Sequence, residues 1–197
     1  MEHRALQTKL EVRQIGQEEA GEQRRVLTGV VRYNTQSENF YSERDGVAWY
    51  EYLAPSAFTE SLQNRDVLAL WSHDTAQVLG NTKNGTLRLD NRADGLYFEI
   101  DLPNTTLGND VREMVSRGDV DRVSFGMTIE GDTVERMNQE GGKTVYNRTV
   151  TTATLYEISP VAFPAYPQNS VAARSILDAK EQKQRHETHI RLELDLV

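Results

Sequence analysis

The residue types available for chemistry in this chain are limited by the absence of cysteine. Without a thiol there is no disulfide framework, no cysteine-based zinc site and no thiol nucleophile. A nucleophilic site would use a hydroxyl, an amine or a carboxylate, and histidine is the side chain best suited to act as its general base near neutral pH. Of the four histidines, His3 lies at the N-terminus, and His186 and His189 lie in a charged C-terminal stretch. His73 is therefore the candidate general base.

His73 is predicted to lie at the end of a strand. It follows the apolar segment Val67–Trp71 and immediately precedes Asp74. Residues that bind or react are common in the connections between elements, where a rigid scaffold positions them. A surface or half-buried histidine without a catalytic role fits the same pattern, so the spacing alone leaves both interpretations open.

Ser124 is the candidate hydroxyl. The segment Arg122–Glu130 alternates between apolar and other residues, which is typical of a strand with one buried face. The residues predicted to face the core are Val123, Phe125, Met127 and Ile129. Ser124 shares the other face with Gly126, where the missing side chain leaves room for a backbone or a substrate. An exposed serine on a half-solvated strand fits equally well, and no Gly-x-Ser-x-Gly elbow supports an α/β-hydrolase.

The elements that must position these residues are mostly strands. Strands are predicted at Val26–Tyr33, Val67–Trp71, Thr86–Asp90, Leu96–Leu102, Arg122–Glu130 and Lys143–Ile158. Helices are predicted at Pro55–Leu62, at Leu107–Arg117 with Gly118 ending it, and at Ser170–Leu177. Several short antiparallel strands with separate helices predict a mainly β or α+β domain, as a barrel or a related fold, and not a doubly wound sheet.

The chain is long enough for one main domain and a tail. We expect a domain over residues 1–176, followed by a charged linker and C-terminal peptide over residues 177–197. Within that tail, Asp178–Thr188 is charged and poor in apolar residues, and His189–Val197 alternates as a short strand or docking peptide would. Near the other end, the polar stretch Gln14–Arg25 is predicted to connect two strands.

Charge and hydropathy exclude several classes of function. The chain has 22 Lys and Arg against 30 Asp and Glu, giving a net charge of −8, which argues against nucleic-acid binding. No apolar run approaches the roughly 18 residues of a membrane span, and no signal-peptide core is evident at the N-terminus. Neither a glycine-rich phosphate loop nor a clustered set of metal ligands is apparent, so we expect no cofactor and no metal.

Four passages together resemble the prohead maturation serine proteases of tailed bacteriophages. They are Ala54–Phe58, Leu70–Asp74 around the histidine, Arg122–Met127 around the serine, and Leu155–Ala162 followed by Pro164–Ala165. The resemblance covers roughly residues 26–173, and the order and spacing of the passages carry it. It implies a closed antiparallel β-barrel surrounded by a few helices, similar to the herpesvirus assemblins, and hydrolysis of peptide bonds during capsid maturation.

The resemblance also implies a role for each site residue. Ser124 would be the nucleophile and His73 its general base, with an acidic third residue on the strand after the serine. Glu157 fits that position best, and Asp74 is the rival, although adjacent residues of a strand point to opposite faces. The oxyanion donors would be backbone N–H groups, which we expect near the Pro164–Ala165 turn.

The substrates implied are scaffold and capsid proteins inside the immature head, in the cytoplasm of the host. The resemblance further implies a homodimer and a precursor that trims itself, for which Asp178–Thr188 is the expected cleavage region. Two alternatives remain at this point: a non-catalytic module of the same fold that serves as a scaffold or assembly factor, and an unrelated small β-barrel binding domain. Contact between the serine and the histidine separates the protease from both.

Overall fold

The computed structural model describes residues 2–6, 10–15, 24–37, 47–138 and 144–162. The strands in these ranges are β1 (Glu2–Leu6), β2 (Glu11–Ile15), β3 (Arg24–Arg32), β4 (Val47–Leu53), β5 (Leu68–Trp71), β6 (Asp74–Asn81), β7 (Leu87–Arg92), β8 (Gly95–Asp101), β9 (Arg122–Asn138) and β10 (Thr144–Val161). The helices are α1 (Thr59–Asn64) and α2 (Thr106–Arg117). The prediction of a mainly β or α+β class is confirmed.

The strands form two sheets. The first has the order β1-β9-β10-β5-β6, with β4 also paired to β10, and the second has the order β2-β3-β8-β7. Across the described residues these sheets are not closed into a barrel, so the closed antiparallel barrel is not found there. In addition, β10 pairs in parallel with both β4 and β5. Apolar alternation shows which face of a strand is buried but not the direction of its neighbour, so the sequence did not reveal this pairing.

The two edges of β10 are paired in different ways. β9 pairs antiparallel along one edge, whereas on the other edge β4 pairs the beginning of the strand and β5 a short stretch near its end. Between these two, the α1 region supplies the hydrogen bonds. The Ala153 N–H donates to the Ala57 carbonyl at 2.7 Å, and the Leu155 N–H donates to Ser61 Oγ at 2.9 Å. A helical segment thus pairs buried peptide groups where neither strand reaches them.

One apolar cluster joins both sheets and the helices. The second sheet contributes Leu96, Phe98 and Ile100, buried on the predicted face of β8, and Leu102 is buried just after the strand ends. From the first sheet, Val123, Phe125 and Met127 are buried as predicted, and Ile129 packs against them while partly exposed. Phe58, just before α1, meets Phe125 edge to face with ring centroids 5.9 Å apart. The core therefore fixes the strand that carries Ser124.

The predicted helix around Leu107–Arg117 is confirmed with nearly the same bounds. Thr105 Oγ1 accepts a hydrogen bond from the Gly108 N–H at 3.2 Å and caps the N-terminus of α2. Gly118 ends the helix in the left-handed conformation, at φ 80°. Val111 and Val115 of the predicted apolar stripe are buried.

The prediction for the first helix is wrong at its start. Pro55 precedes the helix in a series of turns, in which the Ala57 N–H donates to the Ala54 carbonyl, and α1 begins only at Thr59. The Ala57 carbonyl accepts a hydrogen bond from the Ala153 N–H of β10. The residues before Thr59 therefore pair with the strand and do not form the first turn of the helix.

Strands β1, β4 and β6 were not predicted. The two strands expected on either side of Gln14–Arg25 are β2 and β3, which pair antiparallel and include the ends of that stretch, whereas residues 16–23 between them lie outside the described residues. The predicted third helix at Ser170–Leu177 and the C-terminal tail lie outside the described residues.

A substitution at Gly108 can test how closely α2 approaches the preceding loop. A Cβ built on Gly108 would lie 2.0 Å from the Pro103 carbonyl oxygen, so Gly108→Ala must displace backbone. We expect a loss of about 2 kcal/mol in the free energy of unfolding, although alanine is roughly 1 kcal/mol more favourable than glycine inside a helix. Denaturant unfolding gives this value. The exposed Glu113→Ala on the same helix should change it by less than about 0.5 kcal/mol. Equal stability of wild type and Gly108→Ala would contradict the close approach.

Candidate active site

His73 lies in the tight turn between β5 and β6. Trp71 pairs with Asp74, which leaves Ser72 and His73 as a two-residue loop. Both have positive φ, 50° for Ser72 and 64° for His73. Two-residue hairpin loops of type I′ need positive φ at both positions and usually contain asparagine and glycine. The prediction that His73 follows the strand is confirmed, and the structure adds the unusual backbone conformation.

Hydrogen bonds to β10 hold this turn in place. The Ser72 N–H donates to the Pro160 carbonyl at 3.2 Å, and the His73 N–H donates to Ser159 Oγ at 3.1 Å. A left-handed conformation costs a non-glycine residue roughly 1–2 kcal/mol. The two bonds to β10 offset that cost and direct the loop over the end of the strand.

Glu157 is positioned by a β-bulge in β10. Leu155 pairs with Met127, but Glu157 pairs with Gly126, so Tyr156 is an extra residue in the ladder. Because cross-strand partners share a face, Leu155 faces the core with Met127, whereas Glu157 lies on the opposite face. Without the bulge, Glu157 would be directed to the same side as Leu155. Gly126 has no side chain opposite the carboxylate.

His73 and Glu157 are in direct contact. Nδ1 of His73 lies 2.8 Å from Oε1 of Glu157, and the two side chains are 21% and 3% exposed, respectively. When Glu157 is ionised its carboxylate only accepts hydrogen bonds, and Nδ1 is then the donor in this pair. In a neutral imidazole the lone pair is then on Nε2, which is the tautomer a general base requires.

Ser159 completes this network and was missed from the sequence. Its Oγ donates to Oε2 of Glu157 at 2.5 Å and accepts from the His73 N–H, and the residue is fully buried. The available signal was its position two residues after Glu157, because residues i and i+2 of a strand share a face. That signal becomes specific only when the turn carrying His73 is known to lie against β10.

Ser124 lies on the strand beside this network. In the register of β9 and β10 it is directly opposite Ser159, and on its other side it is opposite Ala5 of β1. Directly opposite residues share a face, with Cβ atoms about 4.5–5.5 Å apart. Ser124, Ser159 and Glu157 therefore lie on one face of the sheet. The structure brings His73 and Glu157 into contact and places Ser124 on β9, the strand that pairs with the one carrying Glu157.

The interpretation of Ser124 as an exposed serine on a half-solvated strand is wrong. Ser124 is 0% exposed, and β9 is buried on both faces from Val123 to Met127. Alternation in the sequence separated the apolar face of β9 from the other face. It did not show that the other face is covered as well, since serine and glycine are compatible with either environment.

Asp74 has different partners from Glu157. Its carboxylate accepts from the Ala76 N–H and from Gln77 Nε2, each at 2.8 Å. The pKa of the Asp74 carboxyl is lowered, chiefly by the hydrogen bond from the Ala76 backbone and then by that from Gln77. These contacts turn Asp74 toward its own strand, whereas the carboxylate that meets the imidazole belongs to Glu157.

The described residues contain no cluster of three or more metal-ligating side chains. None of the helices in the described ranges is long and apolar enough to cross a membrane. The Pro164–Ala165 turn, where oxyanion donors were expected, lies outside the described residues.

The positive φ of Ser72, in the turn that carries His73, leads to a prediction about stability. Ser72 is exposed, and glycine adopts positive φ without steric cost, so Ser72→Gly should raise the free energy of unfolding by about 1 kcal/mol. The matched control is Thr75→Gly, an exposed position of β6 without positive φ, where glycine should lower stability by roughly 0.5–1 kcal/mol. Both values come from denaturant unfolding. If Ser72→Gly destabilised the protein as much as the control does, the left-handed turn would be disproved.

The family model described as caudovirus prohead serine protease matches residues 8–184 of the 197-residue chain. The matched range contains every residue of the site from His73 to Ser159. No curated protein and no solved structure matches the chain.

Proposed function

Because the chain belongs to the caudovirus prohead serine protease family, and is thus a serine endopeptidase, we propose that Ser124 is its nucleophile, His73 its general base and Glu157 the third residue of the triad. The observation that supports this assignment is the 2.8 Å contact between His73 Nδ1 and the buried Glu157 carboxylate. A carboxylate that holds an imidazole in this tautomer is the arrangement found in Ser-His-Asp and Ser-His-Glu triads.

Each side chain has a defined task in the proposed reaction. Ser124 Oγ attacks the carbonyl carbon of the scissile peptide while His73 Nε2 takes the hydroxyl proton. The tetrahedral intermediate then collapses, the C–N bond breaks, and His73 gives the proton to the leaving amine. Water then attacks the carbonyl carbon of the resulting ester while His73 takes a proton from it. The bond between that carbon and Ser124 Oγ breaks as His73 returns the proton to Oγ, which releases the acid product and restores the serine.

The burial of Glu157 strengthens its attraction to the positive charge that develops on His73 in these steps. When His73 accepts the proton it becomes an imidazolium, and the adjacent carboxylate stabilises that positive charge. Because Glu157 is only 3% exposed, water screens this attraction less than it would at the surface. Glu157 keeps the ring oriented throughout and does not itself take the proton.

The family gives the process in which the enzyme acts, capsid maturation within the prohead in the host cell. We infer that the substrates are scaffold and capsid proteins, and that the chain cleaves itself within Asp178–Thr188 and releases the peptide that follows. The net charge of −8 supports this role, because an acidic surface does not attract the phosphates of DNA. A homodimer, as in the assemblins that the family resembles, remains a prediction.

The first test is intact-mass spectrometry of the full chain over time, alone and with a capsid precursor that carries its scaffold segment. The wild type should cleave the precursor and lose its own C-terminal piece, whereas Ser124→Ala and His73→Gln should leave both proteins whole, with rates reduced about 10⁴-fold or more. The buried Ser61→Ala on α1 is the matched control and should retain cleavage. Activity of Ser124→Ala equal to that of the wild type would eliminate Ser124 as the nucleophile.

A second test concerns the third residue. Glu157→Gln keeps the size of the side chain but offers an amide in place of the carboxylate, so we expect kcat to fall by roughly 10³- to 10⁴-fold, as for the corresponding change in other triads. Glu51→Gln is the matched control, since Glu51 is also a buried glutamate but lies on β4. Equal losses of kcat in both variants would indicate a general effect of removing a buried charge, and would contradict a catalytic role for Glu157.

A non-catalytic assembly module is the alternative function, and the observation that favours it is the complete burial of Ser124. Attack on a peptide requires Ser124 Oγ to become accessible. A fluorophosphonate reagent that forms a covalent adduct with reactive serines distinguishes the two: the wild type should gain one adduct on Ser124, and His73→Gln should gain none. If the wild type is neither labelled nor active on the precursor, the assembly module is the better explanation.

A further inference from the structure

We propose that Ser159 is a positioning residue of the active site, which uses one hydroxyl to hold both the carboxylate of Glu157 and the turn that carries His73. This inference rests on the proposed function, because it assigns Ser159 a role in the catalysis by His73 and Glu157. It also makes a structural claim that holds independently of any activity, namely that the geometry of the pair depends on the Ser159 hydroxyl.

The contacts of Ser159 use both hydrogen-bonding functions of its hydroxyl. The hydroxyl proton is donated to Glu157 Oε2 at 2.5 Å, and an oxygen lone pair accepts the His73 N–H at 3.1 Å. Ser159 is 0% exposed, so these bonds form without competition from bulk solvent. Because the Ser159 hydroxyl donates its proton to the Glu157 carboxylate, we assign it the role of positioning that carboxylate, and we assign the role of nucleophile to Ser124.

The two bonds restrain different parts of the catalytic pair. The bond to Oε2 fixes the rotation of the Glu157 carboxylate, so that Oε1 is presented to the imidazole. The bond from the peptide N–H fixes the backbone of His73, a residue in the strained left-handed conformation at φ 64°. The 2.8 Å contact between Nδ1 and Oε1 then closes a ring that runs from Ser159 through the carboxylate and the imidazole to the main chain of His73.

A ring of this kind restricts where Nε2 of His73 can lie. The imidazole of His73 is bound through Nδ1, and the main chain of His73 is bound through its N–H. The imidazole therefore has little freedom to move. Because Ser124 is directly opposite Ser159 in the strand register, the anchoring hydroxyl lies beside the residue that the imidazole must serve. Misplacement of a catalytic group by about 1 Å can cost on the order of 100-fold in rate.

The kinetic test compares Ser159→Ala with Ser159→Thr. We expect kcat of Ser159→Ala on the capsid precursor to fall by about 10- to 100-fold with KM nearly unchanged, because the hydroxyl contacts the catalytic pair and not the substrate. Ser159→Thr retains the hydroxyl and should recover most of the lost kcat. Ser61→Ala is the matched control, since Ser61 is a buried serine whose Oγ accepts a backbone N–H from the same strand, and its kcat should be unchanged.

A spectroscopic test separates this proposal from the proposed function. In ¹H NMR, the proton shared by His73 Nδ1 and Glu157 should give a downfield resonance in the wild type, assigned by its loss in His73→Gln. Ser159→Ala should shift or broaden that resonance, Ser159→Thr should restore it, and Ser61→Ala should leave it unchanged. This measurement needs no substrate, so an inactive wild type would end the protease proposal without deciding the role of Ser159.

The outcomes are distinct. Loss of kcat with constant KM in Ser159→Ala, an altered Nδ1 resonance and recovery of both by Ser159→Thr would support the positioning role. Wild-type kcat together with an unchanged resonance in Ser159→Ala would overturn it. If Ser159→Ala does not fold, Ser159→Cys replaces it, because the thiol keeps the volume of the side chain and is a weaker donor. A wild-type resonance in a folded Ser159→Cys would equally overturn the proposal.

Discussion

The need to pair the backbone of β10 on both edges is the constraint on which the rest of the structure depends. One edge is paired by β9, which carries Ser124. The other edge is shared by β4, the α1 region and β5 in succession, because none of the described strands on that edge follows β10 along its whole length. Since β5 pairs near the end of β10, the turn that follows β5 is brought against the same end, and His73 comes with it.

A single extra residue in β10, Tyr156, then places a carboxylate on the face of the sheet that carries Ser124 and Ser159. The bulge at Tyr156 lets Leu155 remain in the core while Glu157 is directed to the opposite face. The side chain of Tyr156 is held by Arg65, whose guanidinium lies 4.2 Å from the ring centroid, and by a hydrogen bond from Thr128 Oγ1. One irregularity thus supplies the buried carboxylate of the site while Leu155 stays buried in the core.

The site combines a strained backbone with a dense network of hydrogen bonds. His73 has a conformation that its residue type disfavours, and the N–H of that residue is satisfied by a side chain of β10 and not by the hairpin itself. Proteins keep such strain where the surroundings determine the conformation more strongly than local preference does. In this protein the surroundings are β10 and its polar face, so the position of the base depends on the strand that carries the acid.

The sequence by itself determined the strands with clear alternation, the apolar faces of β8 and β9, the bounds of α2 and the candidates His73 and Ser124. These depend on local periodicity, on caps or on a short inventory of reactive residue types. Glu157 was chosen through the resemblance to the prohead proteases, which implies an acidic residue on the strand after the serine. Only the tertiary structure decided that β10 pairs in parallel with β4 and β5, that Glu157 changes face at a bulge, that Ser124 is covered, and that Ser159 joins the acid to the base. Each of those facts depends on which strands are neighbours and in what register, and period-2 alternation carries no information about either.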